Sequence, residues 1–204
     1  MQSGLVLPAA ASNRCSGEVQ ATSDEALIER IAAGDPSAMR ALFGRHQVRV
    51  YRFLLRLVGD QAAAEDLVSE VFLQVWRKAD GFEGRSQVST WLLAIARHKA
   101  LSTMRRPVHD QLDERAAAAI PDPADNPETA MQRAGRAAFL RGCLMQLSAA
   151  HREVIDLVYY HERTIEDVAG IIGVPVNTVK TRMFHARKRL AQLLASAGGE
   201  AALA

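Results

Sequence analysis

A chain of 204 residues has room for one ordinary domain or two small ones. Hydrophobic residues make up 49% and aromatics only 5%, with Ala, Leu, Val and Ile dominant, a palette that favours packed helices over sheets. The 25 basic residues nearly balance 23 acidic ones, which excludes a uniformly charged protein, yet the signs are segregated along the chain.

From Val168 to Gly199 there is no acid, while Lys180, Arg182, Arg187, Lys188 and Arg189 are basic. Asp110, Asp113, Glu114, Asp122, Asp125 and Glu128 crowd the middle instead. Cys15 and Cys143 have neither metal-ligand spacing nor the density of a disulfide scaffold, which suits a reducing compartment and incidental thiols. The opening MQSGLVLPAAASNRC lacks the basic n-region of a signal peptide, and Pro8 interrupts its apolar run. No run approaches the roughly 20 apolar residues needed for spanning, so a cytoplasmic protein without membrane insertion is expected.

Residues 1–22 are small, polar and aperiodic and are read as a disordered tail. Thr22 to Glu25 resembles a capping box, and Leu27, Ile28 and Ile31 give a short helix closed by Gly34. Asp35-Pro36 is a cap followed by proline at the first helical position, opening a helix that carries Leu42, Phe43, Val50, Phe53, Leu54 and Leu57 up to Gly59. Asp60 caps a third helix with the apolar stripe Leu67, Val68, Val71, Phe72, Val75 and Trp76 and an exposed face of Glu65, Asp66, Ser69, Glu70 and Gln74. After a loop containing Gly81, Phe82, Glu83 and Gly84, a fourth helix runs from about Ser89 to Arg106, where Pro107 ends it. Phe82 and Trp91 read as core residues.

Four prolines and an acidic bias mark residues 107–130 as a flexible interdomain linker. Helical periodicity returns through Phe139, Leu140, Cys143, Leu144 and Leu147, and Ser148 caps a helix with Val154, Ile155, Leu157 and Val158. His161 beside Glu162 reads as a polar pair at a helix end.

Thr164 and Asp167 then cap the short helix IEDVAGIIG, which Gly173 ends; Val174-Pro175-Val176 makes a turn, and Asn177 caps a further helix. Val179, Met183, Ala186, Leu190 and Leu193 form its apolar seam, and Ala169 suits two helices crossing closely over a short turn. Thr178, Thr181, Arg182, His185 and Arg189 project away from the seam, flanked by Lys180 and Lys188. A capped short helix, a Gly-x-Pro turn and 32 acid-free residues together predict a DNA-binding helix-turn-helix rather than an ordinary charged surface. The six dispersed histidines show no H-E-x-x-H spacing, and there is no Gly-rich phosphate loop, so no catalytic residue, metal site or cofactor is expected.

DLVSEVFLQVWRKADGF followed by STWLLAIARHKALSTMRR resembles region 2 of bacterial sigma factors, and LSAAHREVIDLVYYHERTIEDVAGIIGVPVNTVKTRMFHARKRL resembles their region 4. The two-domain layout is similar to the extracytoplasmic-function group. The resemblance implies an all-α protein of two small domains, residues 23–106 and 131–196, with tails at 1–22 and 197–204. It implies a non-enzymatic transcription factor that binds the clamp and flap regions of core RNA polymerase, recognises promoter double-stranded DNA, holds the separated −10 strand, and is controlled by an anti-sigma protein.

Carried onto this sequence, the polymerase contacts fall on Asp66, Ser69, Glu70 and Gln74. The −10 contacts fall on Glu83, Arg85, Ser86, Val88, Arg97, His98 and Arg105. Those to the −35 element fall on Asn177, Thr178, Lys180, Thr181, Arg182, His185, Lys188 and Arg189. Ser69 stands where the family pattern D-x-x-Q commonly has Gln, and His98 where Asn is frequent. The residues alone leave two other readings open: a helix-turn-helix regulator acting outside holoenzyme, and an all-α protein adaptor.

Overall fold

The computed structural model describes residues 22–104, 135 and 138–201, and all regular structure among them is helical. Helix α1 (Asp24–Ala32) begins at Ser23, whose side chain accepts from the Ala26 amide, so the cap lies one residue beyond the expected Thr22. Its Leu27, Ile28 and Ile31 are buried. Helix α2 (Pro36–Val58) starts at Asp35, which accepts from the amides of Ser37 and Ala38, and stops at Gly59 with φ 76°, a left-handed conformation that favours glycine. Helix α3 (Gln61–Lys78) is capped by Asp60 accepting from Ala63 at 2.6 Å.

The stripes Leu42, Val50, Phe53 and Leu54 of α2 and Leu67, Val71 and Val75 of α3 meet in one core. Each such aliphatic or aromatic side chain contributes about 1.5–3 kcal/mol when fully buried. A short 3-10 turn, Ala79–Gly81, leads into the loop before helix α4 (Val88–Met104). Phe82 and Trp91, read from the sequence as core, meet at 5.1 Å with their rings tilted by 53° and are partly buried against the edge of that core.

Helix α4 is apolar on more than one side: Val88, Leu92, Leu93, Ile95, Ala96 and Ala100 are all buried. A helix that is apolar around most of its circumference needs cover on opposite faces. Helices α2 and α3 cover one face, and the second domain covers the other.

That domain comprises helical backbone over 138–145 (α5), helix α6 (Ala149–Ile155) capped by Ser148, a π-helical turn at Asp156–Tyr160, helix α7 (Ile165–Ile172) and helix α8 (Val176–Ala201). Thr164 and Asp167 form the full capping box of α7, and Gly173 ends it at φ 69°. Ala169 is buried under the crossing with α8, where Val179, Met183 and Ala186 also lie. Helix α8 starts at Val176, so Asn177 lies in its first turn and is not its cap. It also runs past the expected domain end at 196.

The two domains are in contact through α4 and α7, and buried residues of both belong to one continuous hydrophobic cluster. His161, read from the sequence as half of a polar pair at a helix end, is only 1% exposed. The π turn folds it inward, where its ring meets Phe53 of α2 edge-on at 5.4 Å. The expected linker at 107–130 lies outside the described residues, as do Cys15 and Arg105.

Candidate nucleic-acid interface

Helices α7 and α8 form the expected helix-turn-helix. Burial of Val179, Met183 and Ala186 fixes the rotation of α8, and the side 180° from them carries Thr181, Phe184, His185 and Lys188, all exposed. Asn177, Lys180 and Arg189 are also exposed, so this side offers cations, amides and hydroxyls over about four turns. Thr178 and Arg182 sit at its edge, half-buried rather than fully projecting. Thr181 donates its hydroxyl to the Asn177 carbonyl at 3.0 Å, within the helix.

Sequence reasoning missed Phe184. It is 62% exposed in the middle of this face, with its ring 5.4 Å from that of His185. Seam spacing could have found it, since a large apolar residue three places from Thr181 and four from Lys180 falls off the seam. Arg187 stacks its guanidinium over Tyr159 at 5.6 Å, so the π turn supports one cation of α8.

The loop before α4 places Glu83 and Arg85 outward in an ion pair at 2.5 Å, with side chains 60% and 84% exposed. Such an exposed pair adds little stability and leaves both groups open to another partner. Ser86 is half-buried, and Val88 is 1% exposed, so a base contact is not open to Val88 in this conformation. His98 is exposed on α4. Arg97 lies one residue before it, but donates from Nε to Glu153 of α6 at 2.7 Å. The structure therefore brings the loop residues together at one end of α4 and ties Arg97 to the other domain.

On α3, Asp66, Ser69 and Glu70 are exposed and Gln74 is half-buried. Glu70 pairs with Lys99 at 3.0 Å, Ser69 donates to the Glu65 carbonyl, and Asp66 makes no hydrogen bond or ion pair among the described residues. Leu73, also missed, is 48% exposed on the same side, one turn from Ser69 and Glu70. An apolar centre rimmed by acids has the make-up of a protein-binding patch.

A helix-turn-helix whose second helix is basic and free of acids from Val176 to Gly199, carried beside a second helical domain with an acidic exposed helix, defines a DNA-binding transcription protein. Its family follows from comparison. The family model described as Sigma-70 region 2 matches residues 42–107, and that described as Sigma-70, region 4 matches residues 140–190. The chain is 30% identical over 183 residues to the ECF RNA polymerase sigma factor SigK of Mycobacterium tuberculosis, covering 88% of this chain and 98% of that one. It is 31% identical over 180 residues to the RNA polymerase sigma-H factor of Pseudomonas aeruginosa, covering 84% and 93%.

Among solved structures, the sigma factor RpoE of Bartonella quintana, in complex with the anti-sigma factor NepR, aligns with TM-score 0.60 and 28% identity over 75% of this chain and 94% of that one. CnrH, solved with the cytosolic domain of CnrY, shares the fold at TM-score 0.62 and 23% identity, over 86% and 99%. The chain belongs to the extracytoplasmic-function RNA polymerase sigma factors.

Proposed function

We propose that this sigma factor sets the exposed acidic side of α3 on the clamp of core RNA polymerase and its second domain on the flap. Helix α8 then enters the major groove of the −35 element, while the loop before α4, with Arg97 and His98, holds the separated −10 strand. RNA synthesis itself belongs to the polymerase, and the site of action is the cytoplasm. The carrying observation is the solvent-facing side of α8, where Thr181, Phe184, His185 and Lys188 stand free of the domain core. That side is polar and cationic with one apolar ring, which suits phosphates, base edges and a thymine methyl group together.

An anti-sigma protein is the inhibitory partner on this reading, supported by the complex of the Bartonella relative. Reconstitution tests the whole. Purified chain mixed with core polymerase should comigrate as holoenzyme and direct transcription from specific sites in genomic DNA. Specific DNA binding with no polymerase association would instead make the chain a free-standing helix-turn-helix regulator. Binding to neither would leave a protein adaptor.

A further inference from the structure

We propose that a row of arginines on α2, Arg49, Arg52 and Arg56, is a further nucleic-acid site, which holds the phosphate backbone of the separated strand where it leaves the −10 loop. The inference rests on the functional reading above.

Helix α2 carries five arginines over 23 residues and no Asp or Glu. At 3.6 residues per turn, Arg45, Arg49, Arg52 and Arg56 fall within about 60° of one another around its axis. Arg45 is spent inside the fold, on Asp24 of α1 at 2.7 Å. Arg49 is half-buried and Arg52 is exposed, and neither makes a hydrogen bond or ion pair among the described residues. Arg56 is exposed and meets the Asp156 carboxylate at 2.5 Å, so the row already takes one oxyanion, from the second domain.

Like charges three and four places apart repel and destabilise a helix. At Arg49 and Arg52 no acid offsets that repulsion, and a break of a local rule with no structural return marks a functional surface. A further cation adds to it. Burial, and then the Arg49 charge, push the Arg163 guanidinium below its ordinary pKa, while Asp167 and Glu162 pull the other way, so Arg49 stands close to Arg163.

Arg163 also locates the row. Its Nη1 donates to Gln87 Oε1 at 3.0 Å, Ser89 Oγ at 2.8 Å and Thr90 Oγ1 at 3.2 Å. The row therefore begins beside the first turn of α4, directly after the loop residues Glu83, Arg85 and Ser86. From Arg49 to Arg56 it runs about 10 Å along the axis, a length over which one strand at 3.4 Å per nucleotide presents about three phosphates. With the second domain set on its own polymerase surface, Asp156 and Arg163 leave this side together, and Arg56 is open to phosphate.

Guanidinium groups grip phosphate oxygens in pairs, so three of them in a row suit a backbone, with no sequence preference. An acidic protein partner would need an apolar anchor among the cations, and between Arg49 and Arg56 only Arg52 lies on this side of α2. The far end of α4 leads through residues 105–137 to the domain that reads the upstream −35 element. The loop end of α4, with the row beside it, thus faces downstream, where the strand stays single.

The test titrates holoenzyme, reconstituted from core polymerase and the full chain, against two forked promoter DNAs at several salt concentrations. Both carry the −35 duplex and the −10 strand; in the short fork the strand stops at the last −10 base, and in the long fork it continues single-stranded past it. Arg52→Ala should bind the long fork about tenfold more weakly, with a salt slope lower by about 0.7, and the short fork as the wild type does. Arg52→Lys keeps the charge and should keep the slope, and Arg49→Ala should act in the same direction as Arg52→Ala. Should Arg49→Ala lose its helical circular dichroism, the exposed Arg52 decides. Unchanged binding of the long fork, or equal loss on both forks, would overturn the strand assignment. Weaker assembly of Arg52→Ala with core polymerase would overturn it too, by giving the row to a protein partner. Failure of the wild-type chain to bind polymerase or either fork would strike the functional reading, and the role of the row would fall with it.

Discussion

Arg97 on α4 and Glu153 on α6 meet across the domain boundary, Nε to Oε1, at 2.7 Å, with side chains only 21% and 10% exposed. Two charges this far out of water are held by each other, and removing one strands its partner. Partial exposure of Arg97 softens that cost, so Glu153→Ala should lower stability by about 1–3 kcal/mol. Calorimetry of the full chain should show one cooperative transition in the wild type, and in the variant a lower-melting transition for the second domain. Two resolved transitions already in the wild type would mean that the domains are not energetically coupled.

Asp66 stands exposed on α3 without an ion pair among the described residues, whereas Glu70 is held by Lys99 at 3.0 Å. Asp66→Lys should therefore weaken binding to core polymerase by about 1.5 kcal/mol or more, with an unchanged melting temperature. Leu73→Ala should weaken it as well, through lost apolar contact. Equal affinities for wild type and Asp66→Lys would remove this side of α3 from the polymerase interface.

Two residues of α8 should fail in different ways. Lys188→Ala should weaken binding to all promoter sequences alike and flatten the slope of log K against log salt by about one unit, as expected for a phosphate contact. Phe184→Ala should leave the salt slope alone and relax preference at one position by about 1–3 kcal/mol, as expected for an apolar base contact. Titrating holoenzyme against promoter variants at several salt concentrations separates the two. A uniform loss from Phe184→Ala would assign that ring to docking instead of reading.

Asp24 ties α1 to α2: its Oδ1 accepts from Arg45 at 2.7 Å, and its Oδ2 lies 2.6 Å from His46 Nε2. Burial raises the Asp24 pKa, but the hydrogen bond from Arg45 and the charge and hydrogen bond of His46 outweigh it, leaving the carboxyl below its ordinary 3.8. A depressed folded pKa stabilises the fold above the unfolded value, and that contribution is lost as pH falls through the folded one. Stability should therefore drop with acid from about pH 4 downward. Asp24→Asn should be less stable at pH 7 and show a shallower acid slope, measured by urea unfolding across pH 2–7. Parallel slopes for the two chains would contradict the assignment.

Local signals carried most of the fold. Asp35, Asp60, Ser148 and Thr164 cap the helices expected of them, and Gly59 and Gly173 end theirs in the left-handed conformation. Caps and the 3.6-residue period act between residues a few places apart, so they can be read along the chain. The same locality made the helix-turn-helix and the acidic side of α3 legible before any packing was known. It set limits too: Ser23 instead of Thr22 caps α1, a competition between neighbours that only backbone geometry settles.

Tertiary structure alone decided what α4 and the segment His161–Arg163 do. Arg163 bonds to partners 73 to 76 residues away, and no periodicity links polar residues at such distances. Its chain neighbour His161 is buried because a π turn and a left-handed Glu162 reverse the backbone there, which no residue preference announces. The apolar surface around α4 was visible in TWLLAIARHKAL, but an apolar face states only that it will be covered, not by what. Hydrophobic attraction has no direction, so the choice of partner belongs to shape and to the long-range pairing of Arg97, Arg163 and Thr90 with the other domain.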